Sequence, residues 1–376
     1  MANENILEFY EAVCREHQIK INPHVLEVLK ESTAPKKLVL KLSGNNRQVQ
    51  RLNNDDIFVL SKCLQNNTRV TSLDVCYNNI TDKGVGHLAD LLQGENSSLC
   101  SLDLKFNDIQ TDGAEALAKS LQCNSSLLSL RLSGNKIGNR GAMHLASMLQ
   151  VNNTLQELEL ADCDLEEWAV HFSEMLAVNS RLVELHIGKM EMTDTGMERL
   201  SEGLRLNHSL RYLDLRCNRV TRDGVRHLAQ VLKQNPTLEI IDLSSNRIED
   251  EGAMYLSEAI TWPGCGLREL SVNSNNIRTE GLLSLAQARK GATTLTNIYI
   301  WGNHLDEPVC QAFRELISSG RLLPEQTDVS VYEVDGQVFL AEVFQGLRRH
   351  YSSNSDLIDK CLDSSTAPNA ETQQQI

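Results

Sequence analysis

Along most of the chain one hydrophobic phrase returns. From Leu99 it reads LCSLDLKFNDI, from Leu127 LLSLRLSGNKI, from Leu210 LRYLDLRCNRV, from Leu238 LEIIDLSSNRI and from Leu267 LRELSVNSNNI, a shared LxxLxLxxNxI. It begins at Val70, Leu99, Leu127, Leu155, Leu182, Leu210, Leu238, Leu267 and Leu295, in steps of 27–29 residues, and a weaker copy runs from Lys37 through Leu40, Leu42 and Asn45. The xLxLx centre alternates as a strand does, with Leu102 and Leu104 on one face and Asp103 and Lys105 on the other. The Asn that follows is predicted to turn inward, its amide satisfying backbone groups of adjacent coils, because buried polar atoms must be paired. Next come Asp82 with Gly84, Thr111 with Gly113, Asn139 with Gly141, Asp194 with Gly196, Asp250 with Gly252 and Thr279 with Gly281. The polar residue of each pair is expected to accept from free N–H groups at a helix start, while the Gly lets the helix lie close to the strand. An apolar stripe at i, i+4 then marks the helix itself, as in Leu117 and Leu121, Leu145 and Leu149, or Leu228 and Leu232.

One strand and one helix per turn predict a right-handed α/β solenoid, with a parallel sheet on the concave side and helices on the convex side. No unit can bury its apolar faces alone, so about nine or ten stacked turns supply the core. Residues 1–36 read as a helical N-terminal cap, Asn5 to about His17 and Pro23 to about Glu31, covering the first coil with Ile6, Leu7, Phe9, Val13, Val25, Leu26 and Leu29. The repeats occupy 37–322. Residues 323–351 form a C-terminal cap in which the Asp335-Gly336 turn joins two strands as a hairpin. Residues 352–376, rich in Ser, Asn, Thr and Gln, read as a disordered polar tail.

Composition narrows the function. The 376 residues are 41% hydrophobic and 23% charged, and they contain no apolar run of the ~20 residues a membrane span requires. The first residues lack the basic region and apolar run of a secretory signal, which predicts an intracellular protein. A net charge of -14 argues against gripping nucleic acid and favours a partner with a basic surface. Ten cysteines are scattered with no CxxC pair and no Cys/His cluster at zinc spacing, so neither a metal site nor a redox motif is indicated, and they are expected to be free thiols. Sequons such as Asn124-Ser125-Ser126 and Asn152-Asn153-Thr154 recur with the repeat rather than as glycosylation sites. Phosphate-loop, dinucleotide, HExxH and GxSxG motifs are absent, so no catalytic residue and no cofactor is assigned.

Binding on such a scaffold is expected from side chains projecting out of the concave sheet. The residue between the strand leucines gives a central column that includes Asp74, Asp103, Arg131, Glu159, His186, Asp214, Asp242 and Tyr299. Two residues on lies a second column with Arg216 and Trp301, and Glu157, Glu184 and Glu269 reinforce the acids from the other flank. These exposed charges either bind a basic partner or simply keep a sheet soluble. Tyr299 and Trp301 are candidate hot spots or packing beneath the hairpin. The unit from Leu155 is irregular, with Cys163 in the Asn place, no Gly at the helix start and many acids around Trp168; the next unit has Met190 there.

The regular unit resembles the ribonuclease-inhibitor-like class of leucine-rich repeats, which implies the horseshoe just described and a protein-binding role. A narrower resemblance within that class rests on Ile21-Asn22-Pro23, Gly44-Asn45-Asn46-Arg47, Ala161-Asp162-Cys163-Asp164-Leu165 and Ile298-Tyr299-Ile300-Trp301-Gly302-Asn303. It continues through Val334-Asp335-Gly336 and Leu340-Ala341-Glu342-Val343. It implies a non-enzymatic scaffold of the nucleus, nucleolus and cytoplasm, with nucleolar partners linked to ribosome biogenesis and to pluripotency in stem and germ cells; the chain is expected to be a monomer. The class also contains a Ran GTPase-activating protein and axonemal regulators, so two alternatives stand beside that expectation. One is a GTPase-activating protein using Arg131 or Arg216; the other is a structural component of the ciliary axoneme.

Overall fold

A computed structural model describes residues 6–31, 37–65, 67–94, 98–163, 168–291, 293–344 and 346–351. Ten short strands, β1 (Leu38–Lys41), β2 (Val70–Asp74), β3 (Ser101–Asp103), β4 (Ser129–Arg131), β5 (Glu157–Glu159), β6 (Glu184–His186), β7 (Tyr212–Asp214), β8 (Ile240–Asp242), β9 (Glu269–Ser271) and β10 (Asn297–Tyr299), form one parallel sheet in chain order. A helix follows each strand. The fold is therefore the α/β repeat solenoid that the LxxLxLxxN spacing predicts. Leu102, Leu104, Leu117, Leu121, Leu145, Leu149, Leu228 and Leu232 are all buried, and they belong to one apolar cluster that runs the length of the stack. Successive strands pair without slippage from β2 onward. Asp74, Asp103, Arg131, Glu159, His186, Asp214, Asp242, Ser271 and Tyr299 consequently lie side by side in a row.

The regular spacing of the asparagines has a direct physical cause in the stacking. Asn135 donates from Nδ2 to the Leu104 carbonyl of the preceding coil at 2.9 Å and to its own Leu132 carbonyl at 2.8 Å, while Oδ1 accepts from Ile109 N–H at 3.1 Å. Asn78, Asn107, Asn218, Asn246 and Asn303 make the same three-way connection. One amide thus closes a bend and joins two repeats. From the second coil onward the residue before this place is left-handed: Tyr77, Phe106, Asp162, Lys189, Cys217, Ser245 and Ser274 have φ between 52° and 59°. Only Gly134 and Gly302 occupy this place without a Cβ penalty, which costs other residues roughly 1–2 kcal/mol. The amide network holds the strained turn in place. Where Cys163 stands instead, its thiol approaches the Leu132 carbonyl at 3.5 Å; at Met190 the buried thioether simply fills the space.

A second asparagine series explains the recurring sequons. Asn124, Asn152, Asn179, Asn207 and Asn235 are buried, and each donates to a carbonyl near the end of the helix one repeat earlier while its Oδ1 accepts from N–H groups two and three residues on.

Helix capping differs from expectation. Asp82, Asp194 and Asp250 reach forward into the next repeat: Asp194 Oδ1 accepts from Thr221 and Gly224 N–H, and Asp250 Oδ1 from Arg278 and Gly281 N–H. A Cβ on Gly224 would lie 2.6 Å from Asp194 Oδ1, so this glycine makes room for a cap supplied by the previous coil. Helix starts and strand exits are thus both tied across repeat boundaries.

The N-terminal helices span Ile6–Glu16 and Pro23–Glu31. Their buried face is Tyr10, Val13, Cys14, Val25 and Leu29, whereas Phe9 is exposed, because Tyr10 turns inward to accept Asn22 N–H at its hydroxyl. At the other end β11 (Val329–Val334) and β12 (Gln337–Glu342) pair antiparallel and pack on the last helix, Glu307–Ser318. The polar tail at 352–376 lies outside the described residues, as do Asp164, Glu166 and Glu167 of the irregular unit. Trp168 itself is core, edge-on to Phe172. Among the described residues Cys14, Cys63, Cys76, Cys123, Cys163, Cys217, Cys265 and Cys310 are free thiols.

Replacing Asn135 by Ala leaves one backbone donor and two carbonyls unpaired in the interior. A loss of about 3 kcal/mol is expected in urea unfolding, against less than about 0.5 kcal/mol for Lys136→Ala next to it on the surface.

Candidate functional site

The concave acids first have a local task. Asp74, Asp103, Asp214 and Asp242 end their strands, and each Oδ1 accepts the N–H two residues on, from Cys76, Lys105, Arg216 and Ser244 at 2.9–3.1 Å. This side-chain turn bends the chain out of the sheet, and Asp is favoured there for that reason. The periodic acid column is therefore partly structural, a role that the strand pattern alone did not disclose.

The same row is far less exposed than the alternation suggests. Arg131, Glu157, Glu159, Glu184, His186, Asp214, Asp242 and Tyr299 are buried; Asp74, Asp103 and Trp301 are half-buried and Arg216 is exposed. Parallel strands stand only ~4.8 Å apart, so long polar side chains in register fold onto one another. Arg131 forks onto Glu157, with Nε to Oε1 at 2.6 Å and Nη2 to Oε2 at 3.1 Å. His186 lies between Glu184, 3.2 Å from Nε2, and Asp214, 3.4 Å from Nδ1, and Arg216 Nε stands 3.2 Å from Asp214. Ser133 donates to Glu159 at 2.8 Å. Tyr299 is no exposed hot spot: its hydroxyl accepts from Asn297 within the sheet edge. Trp301 packs against the end of the core, its backbone N–H donating to Asp328 of the C-terminal cap. Arg131 and Arg216, which a GTPase-activating reading requires to be available, are both engaged by carboxylates.

The second reason for burial is a segment of the chain itself. Beyond the hairpin, residues 346–351 run back over the concave face. Arg348 pairs with Glu269 of β9, and its carbonyl accepts the Tyr212 hydroxyl of β7 at 2.8 Å. His350 Nδ1 lies 3.1 Å from Glu157 and 3.6 Å from Glu184, on β5 and β6. Tyr351 donates to Glu239 at 3.3 Å, and its ring stands beneath Arg211. The contact pairs are 79 to 193 positions apart, from Arg348 with Glu269 to His350 with Glu157, so no local pattern points to them.

Electrostatics follow from this crowding. Burial disfavours a charged His186, but Asp214 and Glu184 outweigh it and raise its pKa from 6.5 to about 9. Burial likewise opposes charge on His350, yet Glu157 and Glu184 raise it. Burial pushes the Glu157 carboxyl up, while His350 and Arg131 more than compensate and hold it well below the usual carboxylate range. Burial and the neighbouring Asp214 raise Asp242. Ligand atoms of Glu157, Glu184, His186 and His350 lie within 4.8 Å of one another, a spacing a divalent ion could bridge. Arg131 already takes both Glu157 oxygens and the carboxylates favour protonated imidazoles, so the group is best described as an ion-pair network. In the other candidate cluster, Asp74, Cys76 and Asp103, burial drives the Cys76 thiol up to about 12, leaving it a poor metal ligand.

Because the His186 pKa is raised by folding, its stabilising effect is fully present below pH 6.5 and is lost as pH rises through about 9. The stability difference between the native chain and His186→Gln should therefore shrink by about 2–3 kcal/mol between pH 6 and pH 10, measured by urea unfolding. A constant difference would place His186 outside the network.

The family model described as Leucine Rich repeat matches residues 66–89, 95–118, 123–146, 151–166, 206–229, 234–257 and 266–286. Leucine-rich repeat-containing protein 34 of Mus musculus is 54% identical over 85 residues, which is 23% of this chain and 20% of that protein. The protein of the same name from Rattus norvegicus gives the same figures, and that of Homo sapiens is 53% identical over 85 residues, 18% of its length. The chain thus matches about a fifth of the length of these relatives. A solved structure of leiomodin-1 actin-binding site 2 is similar over 42% of this chain and 80% of its own, with 22% identity and a TM-score of 0.31, a likeness too slight to bear on function. Ten parallel strands alternating with helices, with seven matched repeats lying between residues 66 and 286, give this chain the fold of an α/β leucine-rich repeat solenoid.

Proposed function

We propose that the chain is a non-enzymatic scaffold that holds a protein partner of basic surface on its concave face. The observation that carries this reading is the excess of carboxylates in the in-register row from Asp74 to Asp242, where Asp74, Asp103, Glu159, Asp214 and Asp242 outnumber Arg131 and His186, with Glu157, Glu184 and Glu269 on the flank of a rigid parallel sheet. A fixed excess of one sign steers and orients an oppositely charged partner. The resemblance carried by residues outside the repeat consensus supports work in the nucleus, nucleolus and cytoplasm, among nucleolar proteins linked to ribosome biogenesis and to pluripotency. Among the described residues no helix is long and apolar enough to cross a membrane.

Proximity labelling in cells supplies candidate partners, which are then tested as purified proteins for direct binding. Charge reversal at Asp214 is unsuitable, since that residue is buried between His186 and Arg216. Asp74→Asn, Asp103→Asn and Asp242→Asn combined keep the Oδ1 acceptor of each strand-end turn while removing three charges. At least a tenfold loss of partner affinity with an unchanged melting temperature is expected. Unaltered binding would move the interface to the convex helices.

A further inference from the structure

We propose that residues 346–351 are a built-in ligand of the concave groove, and that the external partner is a short basic peptide which presents a guanidinium, an imidazole or second cation, and an aromatic hydroxyl, and binds by displacing them. The inference rests on the concave face being the binding surface and names what that surface takes.

The groove is built for these groups. Four carboxylates receive the strap: Glu269 takes Arg348, Glu157 and Glu184 face His350, and Glu239 accepts from Tyr351. Tyr212, buried in the floor, donates to the strap's backbone at the Arg348 carbonyl. A main-chain acceptor is common to any peptide, so this contact recognises an extended segment whatever its side chains. From β9 to β5 the carboxylates span four strand spacings, ~19 Å, which an extended peptide of about six residues covers. An occupant therefore needs at least two cations and a crossing path over the strands.

The strap is held in a way that allows exchange. Among the described residues its backbone makes a single hydrogen bond to the solenoid and adds no strand to the sheet. Arg348 and Arg349 remain exposed, Leu347 is only half-buried, and no large apolar side chain anchors the segment. Arg348 keeps its side of the pair with Glu269 in solvent, which screens that contact, while His350 is half-buried against its carboxylates. What keeps the strap seated is its tether, which presents it at an effective concentration on the order of millimolar. A partner with more cations, or with an apolar anchor that the strap lacks, can outcompete it; a weakly basic protein cannot. The masked groove thereby rejects casual binders while its own carboxylates stay paired.

The test uses the full chain and a fluorescein-labelled synthetic peptide with the sequence of residues 343–353. Anisotropy titrations compare the native chain with Arg348→Glu/His350→Glu, both verified to have the same melting temperature, and a control peptide carries Glu at the Arg and His positions. The double variant should bind the native-sequence peptide at least tenfold more tightly than the native chain does, with the control peptide unbound. Adding Glu157→Gln and Glu269→Gln to the variant should reverse the gain. Equal binding by native and variant chains, or binding of the control peptide as strong as that of the native sequence, would overturn the proposal. If the variant ignores the peptide while the Asp74, Asp103 and Asp242 replacements still abolish partner binding, the strap inference fails and the scaffold reading stands. Peptide binding together with a partner indifferent to those aspartates would keep the strap as the groove's own ligand but overturn its displacement by that partner, whose interface would then lie on the convex helices.

Discussion

Everything in this molecule depends on buried amides that belong to two repeats at once. A strand of three residues cannot hold its register alone, and neither can a coil that must pass through a left-handed residue at Tyr77, Phe106 or Cys217. Asn78, Asn107, Asn135 and their counterparts resolve both difficulties by joining the carbonyl of one coil to the N–H of its neighbour. The second series at Asn124, Asn152 and Asn179 repeats that device at the helix ends. Cooperativity therefore runs along the stack, and an isolated unit lacks the hydrogen-bond partners that its neighbours supply.

The rigid register has an electrostatic consequence. Side chains projecting from adjacent strands are brought so close that charges must pair or lose their charge, and the face segregates accordingly. Arg131 with Glu157, and His186 with Glu184 and Asp214, fill the floor. Glu157 and Glu184 also face the basic strap, together with Glu239 and Glu269. The sign of the groove thus follows from an excess of acids over bases on a surface that cannot rearrange, and the C-terminal segment supplies the missing cations.

Much of the fold was legible because its signals are local: the strand alternation, the Asn and the i, i+4 helix stripe all fall within one unit of 27–29 residues. What crosses between units was harder to read. Asp194 and Asp250 look like caps of their own helices but bind the next one, since spacing within a unit does not say which N–H an oxygen faces. The acid column was visible in the sequence, yet its work at strand ends was not, because Asp74 and Asp242 satisfy a backbone donor as well as carrying charge. For Tyr299 the sequence left open an exposed hot spot or packing beneath the hairpin, because strand alternation alone does not say whether a residue of the last strand is covered; in the fold it is buried. The strap was invisible for a simpler reason: nothing near Arg348 or His350 in the chain announces the glutamates that receive them.

The imidazole of His350 reports the seated strap most directly. In a free, solvated segment it would titrate near the ordinary 6.5, whereas against Glu157 and Glu184 it must titrate higher. An NMR titration of the full chain should show His350 raised above that value, returning towards it when Glu157→Gln and Glu184→Gln remove the facing charges. A His350 that titrates at the ordinary value in the native chain would contradict a groove occupied by its own basic segment.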